Sequence, residues 1–340
     1  MSEETAHPSD INVVDASTRQ AWLSKLEING KVKDGILSSL AQGDISTALQ
    51  LLESGQAAKR DIRTKDNKSP TGLTALHLAS LFGDDVVFQK LLELNVDTNV
   101  TCYCQITSYS VATKFWMDAR PLLFAIGSKN QHIVNKLLAQ SSSVTMNDAW
   151  PLFSTEWWRL TGRFEWDASR AILRNLVQHN LDLNQRVAIL RWSMLHYCVN
   201  MEPRTWDGIE EFLQGRYETI EYLIENGSEP LLKDTFGRTA LALLQERTNS
   251  LPSTGIADAD LAILERVRDA ADERLKELLQ KAMVAQVDKI QAKTGFRGSL
   301  HKLAIRGQAL DRIPLLLRSG ASSFRRSSVS SAGMRSQLSN

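Results

Sequence analysis

The sequence is short of cysteine, of long apolar runs and of any excess of one charge, and each shortage narrows the class of protein. Three cysteines, Cys102, Cys104 and Cys198, are spread over 340 residues, a sparse and odd set that fits a reducing compartment better than a disulfide-stapled secreted fold. No stretch approaches the roughly 18 continuous apolar residues of a membrane-spanning helix. The acidic N-terminus lacks the pattern of a secretory signal. We therefore expect a cytoplasmic protein, with the nucleus as the alternative compartment.

The charge balance narrows the range of partners. Lysine and arginine number 40 and aspartate and glutamate 39, which leaves a formal net charge of +1. A dedicated nucleic-acid-binding protein carries a basic excess, and a membrane-surface protein needs cationic patches to attract anionic lipid. We expect neither nucleic acid nor membrane to be the partner.

Motifs that carry chemistry are also missing from the sequence. There is no glycine-rich phosphate loop, no dinucleotide fingerprint, no G-x-S-x-G and no H-E-x-x-H. The pair Cys102-x-Cys104 suggests half of a zinc site, but zinc takes four ligands and the one remaining cysteine, Cys198, has no paired neighbour. The sequence therefore predicts no catalytic residues, no metal and no cofactor.

Helical periodicity and internal repetition fill most of the chain, whereas strand signals are scarce. Residues 36–55, 75–95 and 120–140 align on a central small residue, a glycine or polar turn and a closing Leu-Leu pair. Further copies follow at 193–232, where the copy is split, at 234–244 and at 299–322. Each copy predicts two short helices joined by a turn. Helices of this length are marginal alone in water, so we expect neighbouring units to cover one another's apolar faces.

The segment 71–99 resembles the ankyrin repeat. The matching residues are Gly72, Thr74, Ala75, Leu76, His77, Ala79, Gly83, Leu91, Leu92, Asp97 and Asn99, with Ala75 in place of the usual proline. The start of the motif returns at Ser193-Met194-Leu195-His196 and at Gly237-x-Thr239-Ala240-Leu241, where Ala242 replaces the histidine. The resemblance implies that Thr74, Ser193 and Thr239 cap first helices and that His77 and His196 tie consecutive units together.

The family resemblance implies an all-α ankyrin-repeat solenoid at 21–324, with units near 36–66, 71–103, 119–147, 150–188, 190–233, 234–293 and 298–324. A flexible N-terminus at 1–20 and a disordered Ser/Arg-rich tail at 325–340 are expected to flank it. The spacing exceeds the usual 33 residues, so we expect inserted loops near 100–118, 150–167, 202–215 and 249–260.

Tryptophan is concentrated where the repeat pattern is weakest. Six of the eight tryptophans lie between 150 and 206, namely Trp150, Trp157, Trp158, Trp166, Trp192 and Trp206. One interpretation is that they fill an irregular core. The other is that Trp150, Trp157, Trp158, Trp166 and Trp206 form a recognition surface with Arg159, Arg163 and Arg191, because tryptophan and arginine dominate interface hot spots.

Two segments near the C-terminus stand apart from the short units. Residues 259–293 predict one long helix with an apolar stripe of Leu264, Val267, Ala271, Leu275, Leu278 and Ala282. This helix is either an overgrown second helix or a coiled coil for a partner or a dimer. The tail sequence Arg325-Arg326-Ser327-Ser328 resembles a basophilic kinase site, with Ser328 as the candidate phosphorylation site.

The function implied by the family resemblance is that of a non-catalytic, monomeric scaffold or adaptor that binds another protein. Its concave side, formed by first helices and turn tips, is the expected binding surface. Two alternatives stay open at this point. In one, the Trp-rich inserts form a ligand or active site of a regulatory or catalytic subunit. In the other, helix 259–293 drives self-assembly into a structural protein.

Overall fold

The computed structural model of the chain describes residues 14–28, 32, 35–63, 72–108, 113–140, 143–162, 164–187, 190–203, 208–246 and 258–294. The predicted last unit at 298–324 and the predicted tail with Ser328 lie outside these ranges, as do two residues of the predicted recognition surface, Arg163 and Trp206.

Helices dominate the described part of the chain. The first half contains α1 (Ala16–Lys25), α2 (Ile36–Gln42), α3 (Ile45–Glu53), α4 (Ala75–Phe82), α5 (Asp85–Glu93), β1 (Cys102–Ser108), β2 (Thr113–Ala119), α6 (Pro121–Gly127) and α7 (Gln131–Gln140). The second half contains α8 (Met146–Ala149), a 3₁₀-helix (Trp150–Phe153), α9 (Thr155–Thr161), α10 (Trp166–Gln178), α11 (Met194–Asn200), α12 (Ile209–Glu225), α13 (Ala240–Glu246) and α14 (Asp258–Thr294).

The short helices have local start and stop signals. Thr74 caps α4 in a reciprocal arrangement with His77, and the helix ends at Gly83, whose φ of 78° is a left-handed conformation that glycine adopts without steric strain. Glycine also ends α2, at Gly43 with φ 76°. Helices of seven to nine residues cannot persist alone, so tertiary packing must stabilise them.

That packing follows chain order, which confirms the predicted solenoid. The first helices of the units form one row in which α2 packs on α4, α4 on α6, α6 on α8 and the 3₁₀-helix, the 3₁₀-helix on α11, and α11 on α13. In the second row, α3 packs on α5, α7 on α10, α10 on α12, and α12 on α14. The apolar face of each helix pair is thus covered by its neighbours in sequence.

The connections between units are also joined to one another, along what we call the turn edge. Hydrogen bonds link each inter-unit turn to the next, from Asp97 N–H to the Arg63 carbonyl (3.1 Å), Arg120 Nη2 to the Ser143 carbonyl (3.2 Å), Met146 N–H to Gln185 Oε1 (2.8 Å) and Thr235 N–H to the Leu190 carbonyl (2.9 Å). The turns therefore lie side by side along one edge of the stack.

The ordered N-terminal region begins earlier than the sequence predicts. Residues 1–20 were expected to be flexible, but α1 starts at Ala16, capped by Asp15, whose side chain accepts a hydrogen bond from the Thr18 N–H (2.9 Å). Arg19, Trp22 and Leu23 of this helix are buried. The helix was not predicted from apolar periodicity, because the segment is polar and one of its buried residues is an arginine.

The predicted inserts near 100–118, 150–167 and 202–215 contain regular structure rather than plain loops, and most of the fourth, near 249–260, lies outside the described residues. Strands β1 and β2 form an antiparallel hairpin with Cys102 opposite Ala119, in the insert expected near 100–118. The insert near 150–167 holds the 3₁₀-helix and α9, and its unit begins before residue 150 because Thr145 caps α8 together with Asp148. The second half of 202–215 belongs to α12. The fold is still mainly helical, as expected.

Helix α14 matches the predicted long helix within a residue at each end. It packs against α12 and α13, so it occupies the second-helix position of its unit. Its buried face passes through Leu275, Leu279, Met283 and Val287. Leu275 of the predicted stripe is on this face, whereas Leu278 is only partly buried and its neighbour Leu279 is buried instead.

Candidate interaction surfaces

The inner face of the first-helix row, the side turned away from the second helices, is covered by the chain itself. Every residue of α4 and of α6 is buried, which would be impossible if one side of each helix faced an open groove. Helix α1 packs on α2 and α9, and α9 packs on α6 and β1. The expected concave groove over these units is therefore filled by α1 and α9.

Arg19 holds α1 in this position. Its guanidinium is fully buried and donates two hydrogen bonds to the Asp84 carboxylate, both 2.6 Å long. It also donates to the carbonyls of Val14 (2.7 Å) and Leu40 (2.8 Å) and lies 4.5 Å from the centre of the Phe82 ring. Burial raises the pKa of the Asp84 carboxyl, and the hydrogen bonds from Arg19 act in the opposite direction.

The other end of α1 is fixed to α9 and the hairpin. Lys25 Nζ donates to the carbonyls of Arg159 (3.1 Å) and Leu160 (3.3 Å) at the end of α9. The Gln105 N–H of β1 donates to the Leu26 carbonyl (3.1 Å). Because α1 is attached at both ends to distant parts of the sequence, it is an integral part of the stack.

Trp150 and Trp157 of the predicted recognition surface are core residues. Both are at most 2% exposed, and their rings meet edge to face at 6.2 Å. The Trp157 ring lies against Phe124 (6.0 Å) and directly over Gly127, where any side chain would overlap it. A partner cannot reach these two side chains in the folded protein, so assigning them to a contact surface is wrong.

The remaining tryptophans of this region differ in exposure. Trp158 is partly buried, with its ring on Phe164 (5.2 Å) and Phe212 (5.8 Å). Trp166 is also partly buried and meets Phe212 at 5.3 Å. Arg159 is exposed beside them. We call Trp158, Arg159 and Trp166 the aromatic shoulder; they are the members of the predicted surface between Trp150 and Trp166 that the structure describes as accessible.

Arg191 and Trp192 lie elsewhere, on the turn edge. Trp192 is buried and its Nε1 donates to Asp234 Oδ2 (3.3 Å). Arg191 is exposed in the same turn, with a left-handed backbone (φ 53°). The structure therefore separates Arg191 from the aromatic shoulder with which the sequence grouped it.

The two repeat histidines connect units. The Thr74 N–H donates to His77 Nδ1 (3.1 Å), and His77 Nε2 lies 3.2 Å from the Ala119 carbonyl that precedes the next first helix. His196 does the same with the Ser193 N–H (3.3 Å) and the Arg238 carbonyl (3.3 Å). Burial lowers the pKa of His196, so its ring is neutral near pH 7, as a bridge with one accepting and one donating nitrogen requires.

Three further groups could in principle carry chemistry. Desolvation lowers the pKa of Lys129 to about 7, and the charge of Glu165 opposes that shift. The Lys129 ammonium donates to the Leu152 carbonyl (2.7 Å) and lies 5.8 Å from the Phe164 ring centre.

The other two groups are carboxylates. Asp148 forms an ion pair with Arg120 and accepts from the Thr145 hydroxyl, and Glu156 accepts from the Ser154 hydroxyl (2.9 Å). Each of these groups has a structural role in the packed region.

The most exposed apolar side chains of the turn edge were missed in the sequence. Phe236 is 63% exposed and Tyr103 50% exposed. Phe236 stands at the tip of the segment Asp234-Thr-Phe-Gly-Arg, where Asp234 Oδ1 accepts from both the Phe236 and Arg238 N–H groups (2.8 Å each). The sequence did contain a signal for this exposed side chain, because an aromatic residue stands at a turn position whose geometry directs the side chain outward.

Comparison with known proteins supports the repeat assignment. The sequence model of the ankyrin repeat matches residues 71–103, the unit that contains α4 and α5, so the chain contains an ankyrin repeat there. No curated protein matches it significantly. None of the described helices combines the length and apolar character needed to span a bilayer.

Solved structures give weaker likenesses. The ankyrin-repeat protein EF0377 is 17% identical, with a TM-score of 0.42 over 62% of this chain and 90% of that one. A chain from the complex of the predatory endopeptidase Bd0816 of Bdellovibrio bacteriovorus with the immunity protein Bd3460 is 15% identical. It has a TM-score of 0.42 over 63% of this chain and 92% of that one.

Proposed function

We propose that this chain is a non-catalytic scaffold or adaptor that binds another protein through side chains on the outside of its stack. The observation that carries the proposal is the continuous turn edge, a row of inter-unit turns hydrogen-bonded to one another that presents exposed aromatic side chains. Preformed turns lose little conformational freedom on binding, which favours affinity.

The filled inner face limits where a partner can bind. A partner cannot enter over α4 and α6, because every residue of these two helices is buried and α9 packs on α6. In the part of the chain that the structure describes, the aromatic shoulder around Arg159 and the turn edge around Arg191 and Phe236 are accessible to a partner. Aromatic and arginine side chains in such regions are the usual hot spots of interfaces.

The self-assembly alternative is less well supported. Leu275, Leu279, Met283 and Val287 of α14 are buried within the chain, and Arg216 of α12 forms an ion pair with Asp272 of α14. The apolar face that a coiled coil would need is thus already used inside the molecule, which supports a monomeric adaptor.

Affinity capture with the full chain as bait, followed by quantitative mass spectrometry, tests the proposal. Arg159→Glu changes the aromatic shoulder and Arg191→Glu changes the turn edge. Arg174→Glu, at an exposed position of α10, is the matched control. We expect the unaltered and control baits to enrich the same protein, and one of the other two baits to lose it. If no protein is enriched over an unrelated bait, the adaptor function is wrong.

A further inference from the structure

We propose that a cavity between the end of α12 and the second half of α14 binds a tyrosine side chain of a partner protein. Its walls come from Ile224, from the turn 227–230 and from Ala282, Ala285 and Ile290. The inference rests on the proposed function and deepens it, since it names a site at the turn edge and the chemical group that this site takes.

The cavity exists because small residues stand between the two helices. Ala282 and Ala285 of α14 leave a gap that longer side chains would fill. The other apolar wall residues are Ile224, Pro230 and Ile290. The volume is about 280 Å³, slightly below the roughly 300–1,000 Å³ of sites that hold drug-sized ligands. The cavity therefore has room for one side chain rather than for a large cofactor.

The two sides of the cavity are joined before a partner binds. The Leu231 N–H donates to Gln286 Oε1 of α14 (3.2 Å). The Glu229 N–H donates to Asn184 Oδ1 of the preceding unit (2.7 Å). The turn is thus fixed to α14 on one side and to the preceding unit on the other. A site that is formed before binding loses less conformational entropy when a side chain enters it.

One buried polar group in the wall of the cavity has no partner. Ser228 lines the cavity and is only 6% exposed, and its hydroxyl makes no hydrogen bond with any described residue. Buried hydroxyls without a partner are uncommon in folded proteins, because each costs free energy of folding. A ligand reaches the Ser228 hydroxyl only by entering the cavity, so the matching ligand carries a polar atom at the tip of an apolar group.

The charges around the cavity favour a neutral ligand. Glu229 and Lys289 both line the cavity and both are exposed, so their opposite charges balance. An entering carboxylate would be repelled by Glu229 and an entering ammonium by Lys289. Tyrosine combines a flat apolar ring with a neutral hydroxyl at its tip, and it is enriched at protein interfaces. It therefore matches the apolar walls, the balanced charge and the unpaired Ser228 hydroxyl.

Ligand-observed NMR titrations of the full chain test the inference. The probes are p-cresol and toluene, which reproduce the side chains of tyrosine and phenylalanine, and 4-methylbenzoate, which carries a charge in place of the hydroxyl. Ser228→Ala removes the unpaired hydroxyl. Ala282→Leu and Ala285→Leu fill the cavity, and Ala285 is exposed, so leucine there leaves the core intact. Ala270→Leu, at an exposed position of the same helix, is the matched control.

We expect p-cresol to bind the unaltered chain about fivefold more tightly than toluene, which is the effect of one hydrogen bond. Ser228→Ala should remove this difference. The two leucine variants that fill the cavity should weaken both probes by about tenfold, and the control should change neither.

Four results would each overturn the inference: no binding of p-cresol, equal binding by the filled and the unaltered cavity, an unchanged preference in Ser228→Ala, or tighter binding of toluene or 4-methylbenzoate than of p-cresol. Affinity capture separates this inference from the proposed function. If baits with Ala282→Leu or Ala285→Leu enrich the same protein as the unaltered bait, the adaptor function stands and only the assignment of the cavity is wrong.

Discussion

Arg19 and Asp84 lie 65 positions apart in the sequence and form a bidentate ion pair inside the fold, with two hydrogen bonds of 2.6 Å. Arg19 belongs to α1, and Asp84 occupies the turn between α4 and α5. This single contact attaches the N-terminal helix to the second unit across the end of α2.

The first prediction concerns this pair. Asp84→Ala should lower the free energy of unfolding by about 3–5 kcal/mol, because it leaves a buried guanidinium without its counter-charge. The double change Arg19→Met with Asp84→Ala should be less harmful than Asp84→Ala alone, since it removes both charges. Glu93→Ala, which breaks an exposed pair with Lys90, is the control and should cost less than about 1 kcal/mol. Urea unfolding measures all three, and equal effects of Asp84→Ala and Glu93→Ala would contradict the assignment.

The second prediction tests the packing of α9 on α6. Gly127 lies against the Trp157 indole, and a methyl group there would overlap the ring. Gly127→Ala should therefore destabilise the fold by about 1–3 kcal/mol, although alanine is the better helix former. Gly72→Ala, where a methyl group would meet open space, is the control. Chemical unfolding followed by tryptophan fluorescence compares them, and a Gly127→Ala protein as stable as the control would show that α9 is not seated on α6.

The third prediction separates two adjacent tryptophans. Trp157→Ala should lower stability by about 3–5 kcal/mol, because it empties a buried site between Phe124 and Trp150. Trp158→Ala should lower it less, since its ring is only partly buried. Thermal unfolding followed by circular dichroism provides the comparison. A smaller loss for Trp157 than for Trp158 would reverse the assignment of core and surface.

The fourth prediction concerns pH. The pKa of buried His196 lies below its ordinary value of 6.5, so the unfolded chain binds a proton at this residue before the folded chain does. The resulting stability is present above about pH 6.5 and is lost as the pH falls towards the folded pKa. His196→Gln should be less stable than the unaltered protein at neutral pH and should lose less stability on acidification. Urea unfolding at several pH values checks the slope, and parallel slopes for both proteins would contradict the role of His196.

The helix pairs could be predicted from the sequence because their signals are local. Thr74, His77 and Gly83 mark the beginning and end of α4 by capping and by left-handed backbone, which do not depend on distant residues. The long helix α14 was predictable for the same reason, since its periodicity extends over many turns.

Contacts made across units could not be predicted in this way. Arg19 is a charged side chain in a polar segment, and only the position of Asp84 makes its burial tolerable. Burial does alternate along β1, where Cys102 and Cys104 are buried and Tyr103 is exposed. The hairpin was still not predicted, because no recognisable turn motif joins the two strands. Whether each tryptophan is buried or exposed depends on the packing of α9 on α6. That packing is a contact between distant parts of the sequence, and local residue patterns do not predict it.

The reactivity of the three native cysteines tests the central claim, that the stack is filled on its inner face by its own α1 and α9. Cys102 and Cys104 lie in β1, on which α9 packs, and Cys198 lies within α11. All three are buried and form no disulfide within the described part of the chain, and burial raises the pKa of Cys198. Buried thiols of this kind are inert until the structure opens. Labelling of the full chain with a thiol reagent should therefore give no fast reaction under native conditions, and all three cysteines should react together on global unfolding. Rapid labelling of Cys102 or Cys104 in the folded protein would show that the inner face is open and would contradict the account.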